Sequence, residues 1–317
     1  MDRETEREMD GEMHATGSLP RRGVLGAMST LGTWGALGMS AWALPWVAHA
    51  QSAATPARAA QRLVVLGGAL TEVVYLLGAQ AQLVGTDTTS LFPEAAQRTP
   101  KVGYMRQLSA EGLLSLRPDC LLGTEEAGPR VVLDQVRSAG VRIELVPASH
   151  NWAEVQRKVA VVGQVVGRDA AAQALLARLD ADWARVQQQV AAAPRKPRAL
   201  FILSHGGSPM VAGTGTAADA LIRYAGGVNA VTGFVGYRPW TAEALAEAAP
   251  DVLLNTTQGI DAMGGEGAFW QRPELALTPA FARKALVAME ANHLLGFGPR
   301  LPGVVQALHT RMRSLVA

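Results

Sequence analysis

The chain has 317 residues, 49% of them hydrophobic, 18% charged and 5% aromatic, with 33 Gly and 17 Pro. Those proportions belong to a folded protein with a sizeable core, and they exclude a disordered, collagen-like or coiled-coil chain; the length suits about two domains. A formal charge of only +2 leaves no basic stripe for nucleic acid, and the single cysteine, Cys120, excludes a disulfide framework and a multi-cysteine metal site.

In chain order, the first feature is Arg21-Arg22, followed from Gly23 to Ala48 by a stretch without a charge and then by Ala48-His49-Ala50. This reads as a signal peptide over residues 1–50, of the twin-arginine type, removed after Ala50. The acidic run before the arginines departs from that pattern and allows a start at Met13. The alternative is a retained membrane anchor, because the uncharged run is long enough to span a bilayer. No cysteine lies near the cleavage site, so a lipoprotein is not expected. The remainder carries 25 basic and 21 acidic groups.

After a linker at 51–60, short apolar runs alternate with helical spacing. Arg62–Leu66 reads as a strand that ends in Gly67-Gly68, and Leu70–Leu77 as a helix stopped by Gly78. The same beat recurs at Gln82–Gly85, Asp119–Leu122, Val131–Ser138 and Val141–Val146, so residues 61–149 are expected to form an α/β lobe on a mostly parallel sheet. Residues 150–197 carry no strand signal. Asn151 with Glu154 makes a capping box, and Ala170–Ala193 contains no Gly or Pro, enough for a helix about 35 Å long. A second alternating region, 198–317, opens at Ala199–Leu203 and includes helices around Ala217–Ala225 and Val304–Leu315.

An internal repeat relates the two regions. Ser109–Thr124 aligns with Thr241–Thr256 at a constant offset of 132, with 8 of 16 positions identical. Each copy reads as a Ser/Thr cap, a short helix with an acidic first turn, a Pro-Asp corner and a buried strand. Val102-Gly103-Tyr104 precedes the first copy and Val235-Gly236-Tyr237 the second. The expected fold is therefore α/β, two Rossmann-like lobes facing each other across a cleft and joined by one long helix, with ligand bound where the strands' carboxyl ends meet the cleft.

Gly67-Gly68-Ala-Leu-Thr-Glu72 and Lys101-Val-Gly-Tyr-Met-Arg-Gln-Leu-Ser-Ala-Glu-Gly112, in an exported bilobal chain with one bridging helix, resemble the substrate-binding proteins of ABC importers for vitamin B12, siderophores and haem. The Gly-Tyr-x-Arg-x-Leu-Ser-Ala-Glu-Gly stretch resembles the haem-binding branch in particular, and the resemblance covers about 61–317. It implies a periplasmic carrier, not an enzyme, that takes haem as transported ligand and delivers it to a homodimeric ABC permease with its ATPase subunits. It also implies that Tyr104 is the axial ligand to haem iron.

The chemistry of the residues agrees. A phenolate is a hard anionic donor suited to ferric iron, and Arg106 supplies a cation beside it if the segment is extended, since residues two apart then share a side. On the facing wall, Tyr237 offers a ring to stack on the macrocycle, and Arg238 a fork for a propionate. Trp240 either packs on the porphyrin or fills the lobe, and Lys101 is a second propionate candidate. His205 is the one histidine expected at the cleft, either as a second iron ligand or as a plain loop residue; His150, His293 and His309 read as surface or structural, and Cys120 as buried and inert. Glu111 and Glu243, equivalent in the repeat, either cap their helices or form one permease-docking carboxylate per lobe. The rival readings are the same carrier for a corrinoid or ferric siderophore, and an enzyme with Gly67-Gly68 as a phosphate turn, which lacks a complete G-x-G-x-x-G.

Overall fold

The structure, a computed structural model, describes residues 59–204 and 209–317. The expected export signal, nearly all of the expected linker and His205 lie outside the described residues.

Four parallel strands form the first sheet: β1 (Leu63–Val65), β2 (Leu83–Thr86), β3 (Cys120–Thr124) and β4 (Arg142–Val146), in the order β2-β1-β3-β4. Every residue of β1 and β3 is buried, which is why they read as unbroken apolar runs rather than alternating ones. Helices α1 (Gly68–Leu76), α2 (Ala110–Ser115) and α3 (Arg130–Ser138) connect the strands.

Two helices follow, α4 (Trp152–Val166) and α5 (Asp169–Ala191). The Asn151 side chain accepts from the Glu154 amide, as the capping motif requires, but the Glu154 carboxylate reaches further back, to the amides of Ser149 and His150. Along α5, Leu175 and Leu179 sit in the core under the first sheet, while Val186 is part of the core of the second. The helix thus has one end in each core, as a bridge must.

The second sheet contains β5 (Arg198–Leu203), β6 (Met210–Ala212), β7 (Val228–Asn229), β8 (Tyr237–Pro239), β9 (Val252–Thr256) and β10 (Leu286–Met289). Its order is β10-β9-β5-β6-β8, with β7 beside the start of β5. Strands β10, β9, β5 and β7 are mutually parallel, whereas β6 runs antiparallel to both β5 and β8. The antiparallel pair is absent from the sequence expectation, because a three-residue strand is too short to show a period. Among the described residues seven α-helices complete this half: α6 (Ala217–Tyr224), α7 (Ala242–Ala248), α8 (Thr257–Ala262), α9 (Gly265–Trp270), α10 (Pro279–Arg283), α11 (Ala291–Leu295) and α12 (Leu301–Val316).

The sequence repeat is a repeat of structure down to single hydrogen bonds. It forms α2–β3 in one half and α7–β9 in the other. Arg117 and Ala249, each just before the Pro-Asp corner, both take left-handed backbone, φ 46° and 42°. The Asp119 carboxylate accepts the amides of Gln61 and Arg62, and the Asp251 carboxylate that of Arg198. The Arg62 and Arg198 side chains in turn donate to carbonyls at the end of α2 and α7, those of Leu116 and Arg117 in one half and of Ala248 in the other. The corner thus ties each central strand to the helix beside it and satisfies carbonyls that the helix end leaves open.

Candidate functional site

Tyr104 stands on a loop that leaves the sheet beside β2. The Val102 amide donates to the Thr86 carbonyl and the Thr88 amide to that of Gly103, which holds Gly103 at φ 97°, a conformation that costs glycine nothing. Beyond it, Met105 and Leu108 are buried and anchor the loop, leaving Tyr104 39% exposed and Arg106 exposed. The segment is not extended, the condition under which spacing alone would bring Arg106 to the side of Tyr104. The Gln107 amide donates to the Tyr104 carbonyl at 2.8 Å and closes a turn. Arg106 still reaches the phenol, because the turn folds it back: its Nη1 donates to Tyr104 Oη at 3.3 Å, while its Nη2 pairs with the Glu126 carboxylate. Partial burial works against the guanidinium's charge, and the Glu126 carboxylate and Tyr104 more than offset it.

These residues line a cavity of about 240 Å³ at the carboxyl edges of the strands. Thr124, at the end of β3, faces it with a buried hydroxyl that has no hydrogen-bond partner among the described residues. In the other half the equivalent Thr256 hydroxyl caps α8 by accepting from the Gly259 amide. Asn292 and Leu295 of α11 form the opposite side, so both halves contribute. The floor holds a buried ion pair, Glu154–Lys158, at 2.6 Å, whose ammonium also donates to the carbonyls of Gly296 and Phe297. His150 lines the cavity as well, at φ 51° and with its ring 5.5 Å from that of Phe297. It is the cleft histidine that sequence reading missed; the available signal was its place just past the carboxyl end of β4. Among the described residues no group of three or more His, Cys, Asp or Glu is placed to hold a metal ion.

The remaining expectations divide. Tyr237 lies across from the first lobe on β8, preceded by Gly236 at φ 82° as Tyr104 is by Gly103. Burial pushes its phenol up; a hydrogen bond with Thr216 and the charge of Arg106 oppose that, and Glu126 adds to it. It therefore senses the charged pair of the other lobe without itself lining the cavity. Arg238 and Trp240 do not face the cavity. Side chains alternate along a strand, so Arg238 points opposite to Tyr237, stacks over Phe234 at 4.7 Å and borders a groove of about 490 Å³ wholly within the second half. Trp240 lines the same groove, with Arg272 5.7 Å from its ring. Lys101 is also not available to a carboxylate: its three donors go to Thr86 Oγ1, Ser90 O and Ala96 O, and burial lowers its pKa despite the nearby Asp87. Cys120 is buried and free, and burial pushes its thiol up. His309 is structural, with Nδ1 2.9 Å from the Ala225 carbonyl. Glu111 and Glu243 are exposed, each in the first turn after a Ser109 or Thr241 cap.

Known proteins show the same architecture. The chain is 46% identical to the periplasmic heme-binding protein BhuT, solved in complex with two hemes, with a TM-score of 0.78 over 82% of this chain and 100% of that one. It is 38% identical to a periplasmic heme-binding protein from Pseudomonas aeruginosa, with a TM-score of 0.73 over 79% of this chain and 92% of that one. Among curated relatives, an uncharacterized ABC transporter substrate-binding lipoprotein of Bacillus subtilis, YvrC, is 24% identical over 210 residues, 65% of this chain and 66% of its own length. The vitamin B12-binding protein of Yersinia pestis matches at 33% over 88 residues, 28% of this chain and 31% of that protein. Residues 63–292, nearly all of both sheets, match the family model described as periplasmic binding protein, and the chain belongs to that family.

Proposed function

We propose that the protein is a periplasmic carrier that captures haem between its two lobes and delivers it to an inner-membrane ABC importer. The observation that carries this is the pairing of Tyr104 and Arg106: an exposed phenol on a rigidly anchored loop, with a guanidinium nitrogen 3.3 Å from its oxygen, at the edge of the interlobe cavity. A phenolate oxygen is a hard donor for ferric iron, and the Arg106 guanidinium donates to that oxygen. Tyr104 is assigned as the iron ligand and Tyr237 as the facing ring. The 46% and 38% identities to heme-binding proteins over most of the chain support haem as cargo. Export through the 1–50 signal supplies the location, and Glu111 and Glu243, one per lobe, dock on a homodimeric permease that works with its ATPase subunits. Binding and release need no catalytic residues.

Titrating the purified protein in parallel with haem, cobalamin and a ferric siderophore tests the reading. Haem is expected to give an intense near-ultraviolet band with the weak visible bands of a tyrosinate complex. Saturable binding of cobalamin or the siderophore, with none of haem, would replace the cargo.

A further inference from the structure

Arg106 divides its guanidinium between two partners: Nη1 donates to Tyr104 and Nη2 pairs with Glu126. The loop that carries Glu126 is fixed to the Tyr104 loop, because the two exchange backbone hydrogen bonds: the Gly128 amide donates to the Met105 carbonyl at 2.9 Å, and the Leu108 amide to that of Gly128 at 3.0 Å. Tyr104, Arg106 and Glu126 all line the same cavity. The internal repeat supplies an independent observation. At the offset of 132 that relates the helix–strand units, Glu126 corresponds to Gln258; at the offset of 133 that relates the two Gly-Tyr pairs, Arg106 corresponds to Pro239. The acid and the base stand together beside Tyr104; in the other lobe Gln258 takes the place of the acid, and the arginine next to Tyr237, Arg238, is turned away over Phe234. Gln258 is engaged otherwise, accepting from the Ala291 amide.

A free arginine fork at a cleft wall attracts any ligand carboxylate. Here one side of the fork is taken, and a fixed negative charge stands where that ligand group would sit. We propose that Glu126 is a specificity-determining residue that reserves Arg106 for Tyr104 and keeps the carboxylates of the cargo off this wall. The proposal rests on the haem reading: the first lobe recognises iron and ring, and the propionate edge is turned elsewhere.

The test compares haem with its dimethyl ester, in which both propionates are neutral, on the wild type, Glu126→Gln, Arg106→Ala and the double variant. Glu126→Gln keeps the shape, removes the charge and restores the residue of the other lobe. It is expected to tighten haem relative to the diester by about fivefold, the scale of a partly exposed charge pair. In the Arg106→Ala background the same substitution is expected to move that ratio much less, and Glu126→Asp to keep the wild-type ratio. An equal effect of Glu126→Gln on both ligands, or a shift undiminished by the loss of Arg106, overturns the proposal. Wild-type protein that binds neither ligand with a tyrosinate-type spectrum removes the haem reading itself, a separate and recognisable failure.

Discussion

Tyr104 and Tyr237 follow equivalent glycines in two copies of one unit, yet their surroundings differ. Tyr104 is 39% exposed and touches a cation; Tyr237 is half-buried, and burial pushes its phenol up. An iron ligand must ionise and a stacking ring need not, so removing the two should have unequal results. Tyr104→Ala is expected to weaken haem binding by roughly 100-fold and abolish the tyrosinate bands, since even groups that only support a ligand are worth 10–100-fold. Tyr237→Phe, which keeps the ring, is expected to stay within about threefold. Absorbance titration of both variants checks this, and an unchanged spectrum in Tyr104→Ala would make the ligand assignment wrong.

The element that recurs is the helix, Pro-Asp corner and buried strand. Its corner places a residue with a Cβ in left-handed backbone in both copies, Arg117 and Ala249. That conformation costs a non-glycine residue about 1–2 kcal/mol, part of which glycine recovers despite its greater freedom when unfolded. Ala249→Gly is therefore expected to stabilise the protein by about 0.5 kcal/mol, read as a higher urea midpoint with an unchanged slope. The same corner was legible in the sequence because Pro and Asp stand at the same place in both copies, between the helical and the strand pattern. The loops after each corner were not legible. The turn at Tyr104–Gln107 depends on Met105 and Leu108 being buried under the sheet, and no local pattern announces that.

Across the whole molecule the two halves meet in a polar seam. Glu72 of α1 pairs with Arg300 at the start of α12 through both carboxylate oxygens, the Asn292 side chain donates to the Thr89 carbonyl at 2.6 Å, and Lys158 donates to the 296–297 carbonyls. A Cβ on Gly298 would stand 2.9 Å from that of Ala69, so the approach there requires glycine. Burial raises the Glu72 pKa against the opposing effect of Arg300. His293, in the same region, is held below the ordinary histidine value by burial and by Arg300, with Glu290 opposing. The unfolded chain thus takes up this proton at a higher pH than the folded one. The contribution of His293 is complete above about pH 6.5 and is lost as pH falls from there towards the folded value. Thermal unfolding between pH 7.5 and 5.5 is expected to show a shallower decline in His293→Gln than in the wild type.

The proposed docking belongs to the same scale, because it would take one carboxylate from each half. Glu111 and Glu243 lie on equivalent helices, exposed and in equivalent turns. Charge pairs at such a rim set orientation and encounter rate and are screened by salt. Glu111→Ala/Glu243→Ala should therefore depress haem-dependent transport in vesicles more than either single change, with haem affinity in solution unaltered. Full transport by the double variant would sink the docking role, and loss of haem binding would place the two residues in the fold or the cargo site.

The sequence by itself determined the α/β class, the pairing of the two halves and the bridging helix, and it placed Tyr104 and Arg106 in one short segment. Each rests on a local signal, whether period, cap, corner or short spacing, or on self-similarity at a fixed offset. Only the tertiary structure decided which side chains share the cavity. Strand alternation turned Arg238 and Trp240 into another groove, three carbonyl and hydroxyl oxygens consumed Lys101, and a left-handed backbone brought His150 to the cavity wall. Glu126 stands 20 residues from Arg106 and reaches it only because two loops exchange backbone hydrogen bonds. Contacts of that kind depend on where distant segments pack, which no spacing within either segment encodes.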